Sequence, residues 1–105
     1  MILAIDFDRV LHDIDNPIKG RRMGPPLPGA VNSMHHLKDM KHTLIIHTLW
    51  AKTVSGTEAV RKWCEYWSMP YDQITAIKPK ADVYLDDLAI RFVNWEQAIK
   101  AIGRI

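Results

Sequence analysis

Three short apolar runs, each ending in polar residues, constrain the fold of this chain more than any other feature. They are Ile2–Ile5 before Asp6, Thr43–Thr48, and Val83–Leu85 before Asp86 and Asp87. Runs of this kind, rich in β-branched residues and without alternation, are typical of strands buried on both faces of a parallel sheet. Ile74–Ile77 is a weaker fourth candidate. The runs therefore predict a parallel sheet whose strands end in polar side chains.

Amphipathic patterns between and after these runs predict helices. Pro28 and Gly29 open a segment with apolar residues at near-helical spacing, and Ser55 to Glu58 matches a capping box at the start of a second helix. Gly103 is the expected stop of a last helix. The apolar faces of the second and last helices are expected in the core: Val60, Trp63, Cys64 and Trp67, and Trp95, Ala98, Ile99 and Ile102.

Strands that alternate with helices indicate crossover units and an α/β fold. We expect a Rossmann-like three-layer sandwich with a central parallel sheet, formed by a single domain over residues 1–105. Residues 13–28 match neither period and are rich in glycine and proline, so they predict a loop or flap.

Composition and charge exclude several classes of protein. No apolar run is long enough to span a membrane and no basic leader resembles a signal peptide, so we expect a cytoplasmic protein. A single cysteine, Cys64, excludes an internal disulfide. The net charge of +2 does not by itself indicate a nucleic-acid binder. Lys19, Arg21 and Arg22 nevertheless cluster, either as a solvated loop or as a positive rim for a phosphorylated substrate.

The polar residues near the strand ends predict the chemistry. Ligands of open α/β sheets bind at the carboxyl ends of the strands, where these side chains would meet. The set comprises Asp6, Asp8, Thr48, Lys78, Asp86 and Asp87. Converging carboxylates need a cation to offset their repulsion, and oxygen ligands alone favour Mg²⁺. The residues thus predict an acidic Mg²⁺ pocket with one hydroxyl and one lysine, suited to phosphoryl chemistry.

The same residues resemble the motifs of the haloacid-dehalogenase (HAD) superfamily. The segment around Asp6 and Asp8 resembles its first motif, Leu44–Thr48 its second, and Lys78–Asp87 its third and fourth. The four motifs occur in family order and span nearly the whole chain. The resemblance implies a HAD-type phosphatase, a hydrolase of phosphomonoesters that requires Mg²⁺.

The resemblance also implies a role for each residue. Asp6 would be the nucleophile that forms an aspartyl-phosphate, and Asp8 the general acid and base. Thr48 would hydrogen-bond the phosphoryl oxygens. Lys78 would neutralise negative charge, with Lys80 as the alternative lysine. The Mg²⁺ ligands would be the Asp6 carboxylate, the Asp8 backbone carbonyl and Asp86, with Asp87 close by or bound through water.

Three further residues are candidates for substrate contact. Arg9 stands where the family usually has glycine or another small residue, and it either reaches the far end of the substrate or points to solvent. Trp50 could stack on a base or sugar, or pack within its loop. His47 lies next to Thr48 and could touch the substrate, although a histidine beside a strand end is more often packed or at the surface. The same two alternatives apply to His12.

The chain leaves no room for the cap domain that many family members carry. An open pocket suits a bulky phosphorylated substrate, and the alternatives include a polynucleotide 3′-phosphatase, a nucleotidase, or an enzyme acting on a phosphoprotein or sugar phosphate. A homo-oligomer could supply the missing cover.

Two readings compete with an enzyme. A receiver domain uses similar residues, but its adjacent acidic pair follows the first strand, whereas here the pair comes last. A non-catalytic phosphate-binding module would keep the fold without turnover, and the sequence lacks no member of the catalytic set.

Overall fold

Strands and helices mostly alternate along residues 1–104, the part of the chain that the computed structural model describes, and the last two strands follow each other without a helix between them. In chain order they are β1 (Ile2–Asp6), α1 (Ala30–Asp39), β2 (Thr43–His47), a 3₁₀ turn (Leu49–Lys52), α2 (Val54–Tyr66), β3 (Gln73–Thr75), β4 (Val83–Leu85) and α3 (Trp95–Ile102). The strands form one parallel sheet in the order β3-β2-β1-β4. The predicted Rossmann-like α/β fold is confirmed.

β1 is an inner strand, and its register aligns the polar ends of its neighbours. Asp6 lies opposite His47 of β2, and Ile5 lies opposite Leu85 of β4. The residues that follow β1, β2 and β4 therefore gather at one edge of the sheet.

The main core lies where the sheet packs against α1 and α2. Its largest fully buried side chains include Phe7, Ile5, Met34, Leu44, Ile46 and Val60. Cys64 belongs to this core, and burial raises the pKa of its thiol to about 12. A thiol with this pKa stays protonated at neutral pH, so Cys64 is a packing residue.

The start of α2 differs from the prediction. Thr53 caps the helix, with its Oγ1 accepting a hydrogen bond from the Gly56 N–H at 3.0 Å. An N-cap residue needs non-helical backbone angles, which Thr53 has and Ser55, already inside the helix, lacks. The predicted capping box at Ser55 is therefore wrong, and Glu58 instead forms an ion pair with Arg61.

The C-terminal helix also differs from the prediction. Trp95, Ile99 and Ile102 were expected in the core, but they are 71%, 62% and 55% exposed, and only Ala98 is buried. Helical spacing identifies an apolar face but does not specify what covers that face. The predicted burial of Trp95, Ile99 and Ile102 is therefore wrong. Among the described residues, no helix combines the length and apolar character needed to cross a bilayer.

Turns and bends make up residues 13–28, and backbone groups of Gly24 fix this flap to the core. The Gly24 N–H donates to Nε2 of His12 at 2.8 Å, and its carbonyl accepts from the Trp63 indole N–H at 2.8 Å. A Cβ at Gly24 would lie 2.1 Å from the carbonyl oxygen of Asp13, so no side chain fits here.

Candidate active site

Three carboxylates meet at the carboxyl edge of the sheet. Asp6 is the last residue of β1, and Asp86 and Asp87 directly follow β4. One carboxylate oxygen of each lies within 4.8 Å of the other two. Asp86 also accepts the Leu88 N–H at 2.9 Å, which folds the loop after β4 back on itself. The structure thus brings together three of the predicted metal-binding residues.

The electrostatics of this cluster are unfavourable without a cation. Partial burial is the main cause that raises the pKa of the Asp6 carboxyl. The Phe7 N–H, which donates to Asp6 Oδ1 at 3.0 Å, opposes this rise in pKa. The negative charges of Asp86, Asp87 and Asp8 raise the pKa further. A set of oxygen donors with mutual repulsion fits a hard divalent cation such as Mg²⁺.

A cavity of about 690 Å³ opens beside the cluster. Asp6, His47, Asp86 and Lys78 all line it, so side chains from β1, from β2, from the connection before β4 and from the loop after β4 share one cavity. One cavity is therefore lined by a lysine and by two members of the acidic cluster, Asp6 and Asp86.

The two candidate lysines differ in position. Lys78 lines the cavity, and its Nζ lies 4.8 Å from the centre of the Tyr84 ring. Lys80 is not among the lining residues. This difference favours Lys78 as the active-site lysine. Arg91 also lines the cavity. This position could not be predicted, because the segment after β4 has no periodic pattern.

Asp8 lies outside the cluster of three and is held by two other side chains. Its Oδ1 lies 2.8 Å from Nδ1 of His12, and its Oδ2 accepts the Trp50 indole N–H at 3.1 Å. Nε2 of His12 accepts the Gly24 N–H, so this nitrogen carries no proton and Nδ1–H donates to Asp8. Both oxygens of Asp8 therefore have fixed directions.

His12 is packed in the interior, one of the two positions expected for it, but its hydrogen bond to Asp8 was not predicted from the sequence. It is 1% exposed, and its ring stacks on Phe7 with centroids 5.0 Å apart. Only the path of the flap brings Gly24 against the His12 ring, and no spacing in the sequence indicates that path. Trp50, considered as a stacking residue for substrate, has its indole N–H committed to Asp8.

Thr48 lies at the end of β2, as predicted, and is buried. Its N–H donates to the carbonyl of Thr75 at 2.9 Å, and its Oγ1 accepts the Trp50 N–H at 3.3 Å, which caps the 3₁₀ turn. Because Oγ1 is the acceptor in that bond, the hydroxyl hydrogen of Thr48 can still donate to a ligand.

Arg9 adopts the backbone conformation that glycine prefers. Its φ is 65°, in the left-handed region, which costs a side-chain-bearing residue about 1 kcal/mol. Its guanidinium forms an exposed ion pair with Asp15 of the flap at 3.2 Å. A residue without a side chain would avoid this backbone cost, which is a physical reason for glycine at this position. The ion pair directs the Arg9 side chain toward the flap.

We expect His12→Phe to lower the kcat of any reaction that uses Asp8 about ten- to a hundred-fold, because Asp8 loses one of its two donors. Mg²⁺ affinity should stay within two-fold, since His12 contacts no member of the acidic cluster. The variant also leaves the Gly24 N–H without its acceptor. This should lower the free energy of unfolding by about 1–3 kcal/mol. Rates are compared at a temperature where the variant is folded, with the exposed His36→Phe as control. A fall in Mg²⁺ affinity with kcat unchanged would contradict the positioning role.

Comparison with known proteins supports the fold and goes no further. No family model and no curated protein matches this chain. A solved structure of a conserved protein from Bacteroides thetaiotaomicron is similar over 99% of this chain and 90% of that chain. The TM-score is 0.65 and the sequence identity 23%, a level at which the likeness concerns the fold alone. The chain is thus a small α/β protein with a Rossmann-like parallel sheet.

Proposed function

We propose that this chain is a HAD-type phosphatase that hydrolyses phosphomonoesters with Mg²⁺ through an aspartyl-phosphate on Asp6. The observation that carries the proposal is the convergence of Asp6, Asp86 and Asp87 within 4.8 Å, at the edge of a cavity that Lys78 also lines. Carboxylates in this number, with one lysine and a nearby hydroxyl, are suited to holding a cation and a phosphoryl group together.

The acidic cluster would hold the metal. Asp6 and Asp86 are the proposed ligands, with Asp87 as a third or as a partner through water. When bound, Mg²⁺ supplies positive charge that offsets the carboxylates and stabilises the phosphoryl oxygens. The oxygen-only donor set and the raised pKa of Asp6 support a cation at this position.

In the first step, a carboxylate oxygen of Asp6 attacks phosphorus. The new oxygen–phosphorus bond forms as the bond to the leaving oxygen breaks, and Asp8 gives its proton to that leaving oxygen. The hydroxyl of Thr48 donates to a phosphoryl oxygen, and the Lys78 ammonium offsets its negative charge. The product alcohol departs and leaves the phosphoryl group on Asp6.

In the second step, water attacks the phosphorus of the aspartyl-phosphate. Asp8, now ionised, accepts a proton from this water, and the bond to Asp6 breaks to release inorganic phosphate. His12 and Trp50 hold Asp8 in one orientation, so the same carboxylate can serve both steps.

Hydrolysis of an aryl phosphate tests the proposal. We expect steady turnover with Mg²⁺, loss of turnover with a chelator, and recovery on adding excess Mg²⁺. Circular dichroism with the chelator present controls for loss of the fold. A receiver domain would take up phosphate from acetyl phosphate without steady turnover, and a binding module would do neither. Either outcome, or turnover that is unchanged by the chelator, would contradict the proposed function.

A further inference from the structure

A second cavity, of about 370 Å³, lies between the flap and α2. Its volume is within the range of small-molecule sites. Aromatic and cationic side chains dominate its wall, and none of its lining residues is acidic. The residues that matter here are Arg21, Arg22, Lys62, Trp63, Tyr66 and Trp67, and we call this cavity the aromatic–cationic cleft.

The aromatic wall of the cleft is held in place by the core. Trp63 is buried and donates its indole N–H to the Gly24 carbonyl at 2.8 Å. Tyr66 and Trp67 lie one turn further along α2, with ring centroids 5.0 Å apart at 83°. Tyr66 is 59% exposed, so aromatic surface faces the solvent here. Apart from the area that the Arg21 guanidinium covers, this surface is available to stack on a planar ligand.

The two arginines of the cleft lie over aromatic rings and not beside carboxylates. The Arg21 guanidinium lies 4.2 Å from the centre of the Tyr66 ring and donates to its hydroxyl at 3.0 Å. The Arg22 guanidinium lies 4.9 Å from the centre of the Trp50 ring. The ion pairs found in residues 1–104 involve neither arginine, nor Lys62. All three charges are therefore available to an anion.

The cleft begins one side chain away from the candidate active site. Trp50 contacts Arg22 of the cleft through its ring, and its indole N–H reaches Asp8 at 3.1 Å. From there the cleft follows α2 from Ala59 to Trp67, about 12 Å of helix at 1.5 Å per residue. A ligand that fills the cleft can thus extend from the reacting group along the helix.

We propose that the aromatic–cationic cleft binds the terminal nucleotides of a single-stranded nucleic acid whose end phosphate is the substrate. The identity of the reacting group rests on the proposed function. In the proposed function, Lys78 offsets the charge of the reacting phosphate. Arg21, Arg22 and Lys62 are three further cations, and they would bind further anions of the same ligand. A strand supplies them as successive phosphates, and its bases stack on aromatic rings. A sugar phosphate lacks the additional anions, and a phosphopeptide lacks the regular alternation of phosphate and aromatic ring.

Binding is measured without Mg²⁺, so that no turnover occurs, by fluorescence anisotropy of a short labelled oligothymidine with a terminal phosphate. We expect Arg21→Gln/Lys62→Gln to weaken binding at least about ten-fold. The slope of log K against log salt should fall by about 1.4, or 0.7 per lost phosphate contact. The control Lys41→Gln/Lys100→Gln, which removes the same charge outside the cleft, should stay within two-fold. Equal binding by the two double variants would overturn the location of the site.

Two other probes test the kind of ligand. An abasic strand of equal length should bind at least about five-fold more weakly, because the aromatic wall has no base to stack on. A phosphopeptide of equal charge should bind at least about ten-fold more weakly than the strand. A phosphopeptide that binds as tightly, or a wild-type protein that binds no strand at low salt, would overturn the assignment to nucleic acid.

Hydrolysis separates this inference from the proposed function. With Mg²⁺, Arg21→Gln/Lys62→Gln should lower kcat/KM for a phosphate-ended strand at least about ten-fold and leave aryl phosphate hydrolysis unchanged, since neither residue contacts Trp50 or Asp8. Strands with 3′- and 5′-phosphates show which end is used. Aryl phosphate turnover without strand binding would overturn the cleft proposal alone, and strand binding without any turnover would overturn the proposed function alone.

Discussion

Asp6→Asn is expected to reduce Mg²⁺-dependent phosphomonoester hydrolysis by at least about a thousand-fold. An asparagine amide cannot attack phosphorus as the carboxylate does. The side chains have nearly the same shape, and the amide oxygen can still accept the Phe7 N–H that Asp6 Oδ1 now accepts at 3.0 Å. Steady-state rates at saturating Mg²⁺ check the loss, with the exposed Asp39→Asn on α1 as the control for charge.

The same substitution should raise the melting temperature of the metal-free protein by a few degrees at neutral pH. Burial and neighbouring carboxylates raise the pKa of Asp6 in the folded state, so the folded protein binds this proton more tightly than the unfolded chain does. Stability from this group is therefore present at low pH and is lost as pH rises through the folded pKa. Asparagine does not titrate and avoids that loss.

Together, the two measurements distinguish a functional carboxylate from a structural one. Replacing a residue that the fold needs would lower both the rate and the melting temperature. Asp6→Asn with undiminished activity would contradict its assignment as the nucleophile. A lower melting temperature of the metal-free variant would contradict the account of its electrostatics.

Gly56→Ala should destabilise the fold by about 3 kcal/mol or more and lower the melting temperature by at least about 10 °C. A Cβ at Gly56 would lie 1.9 Å from the carbonyl oxygen of Trp50, so α2 and the 3₁₀ turn would have to separate. Helix propensity alone favours alanine over glycine inside a helix by about 1 kcal/mol, so a loss of stability reports the steric clash. Thermal unfolding followed by circular dichroism measures it.

Gly103→Ala is the matched control, because a Cβ there would lie 3.4 Å from the carbonyl oxygen of Ile99 and the backbone is already helical. Its melting temperature should stay within a few degrees of the wild type. The 3₁₀ turn carries Trp50 and is capped by Thr48, so Gly56→Ala should also lower kcat at temperatures where the variant is folded. Equal stability of the two variants would contradict the close packing of α2 on the turn.

The sheet and the acidic cluster could be predicted because their determinants are local. Each apolar run specifies a strand, and the parallel arrangement then brings the strand ends to one edge. Asp6, Asp86 and Asp87 meet for this reason, although they lie at opposite ends of the sequence. Lys78 was preferred to Lys80 on the sequence resemblance, and the cavity lining, which includes Lys78 and not Lys80, favours the same choice.

The support around Asp8 could not be predicted, because it depends on the path of an irregular flap. Gly24 contacts both His12 and Trp63 through backbone atoms, which leave no side-chain pattern in the sequence. The burial of α3 was misjudged for a related reason. The periodicity of Trp95, Ile99 and Ile102 specifies an apolar face, but burial depends on where the segment after β4 leads.

Calorimetric titration with Mg²⁺ tests most directly whether Asp6, Asp86 and Asp87 form a cation site. The wild-type protein should bind one Mg²⁺ per chain, and Asp86→Asn should weaken binding at least about ten-fold, because it removes one of few negatively charged oxygen ligands. Asp39→Asn should bind Mg²⁺ as the wild type does. Absence of binding by the wild type, or binding that Asp86→Asn leaves unchanged, would contradict a metal site at the end of β1 and β4.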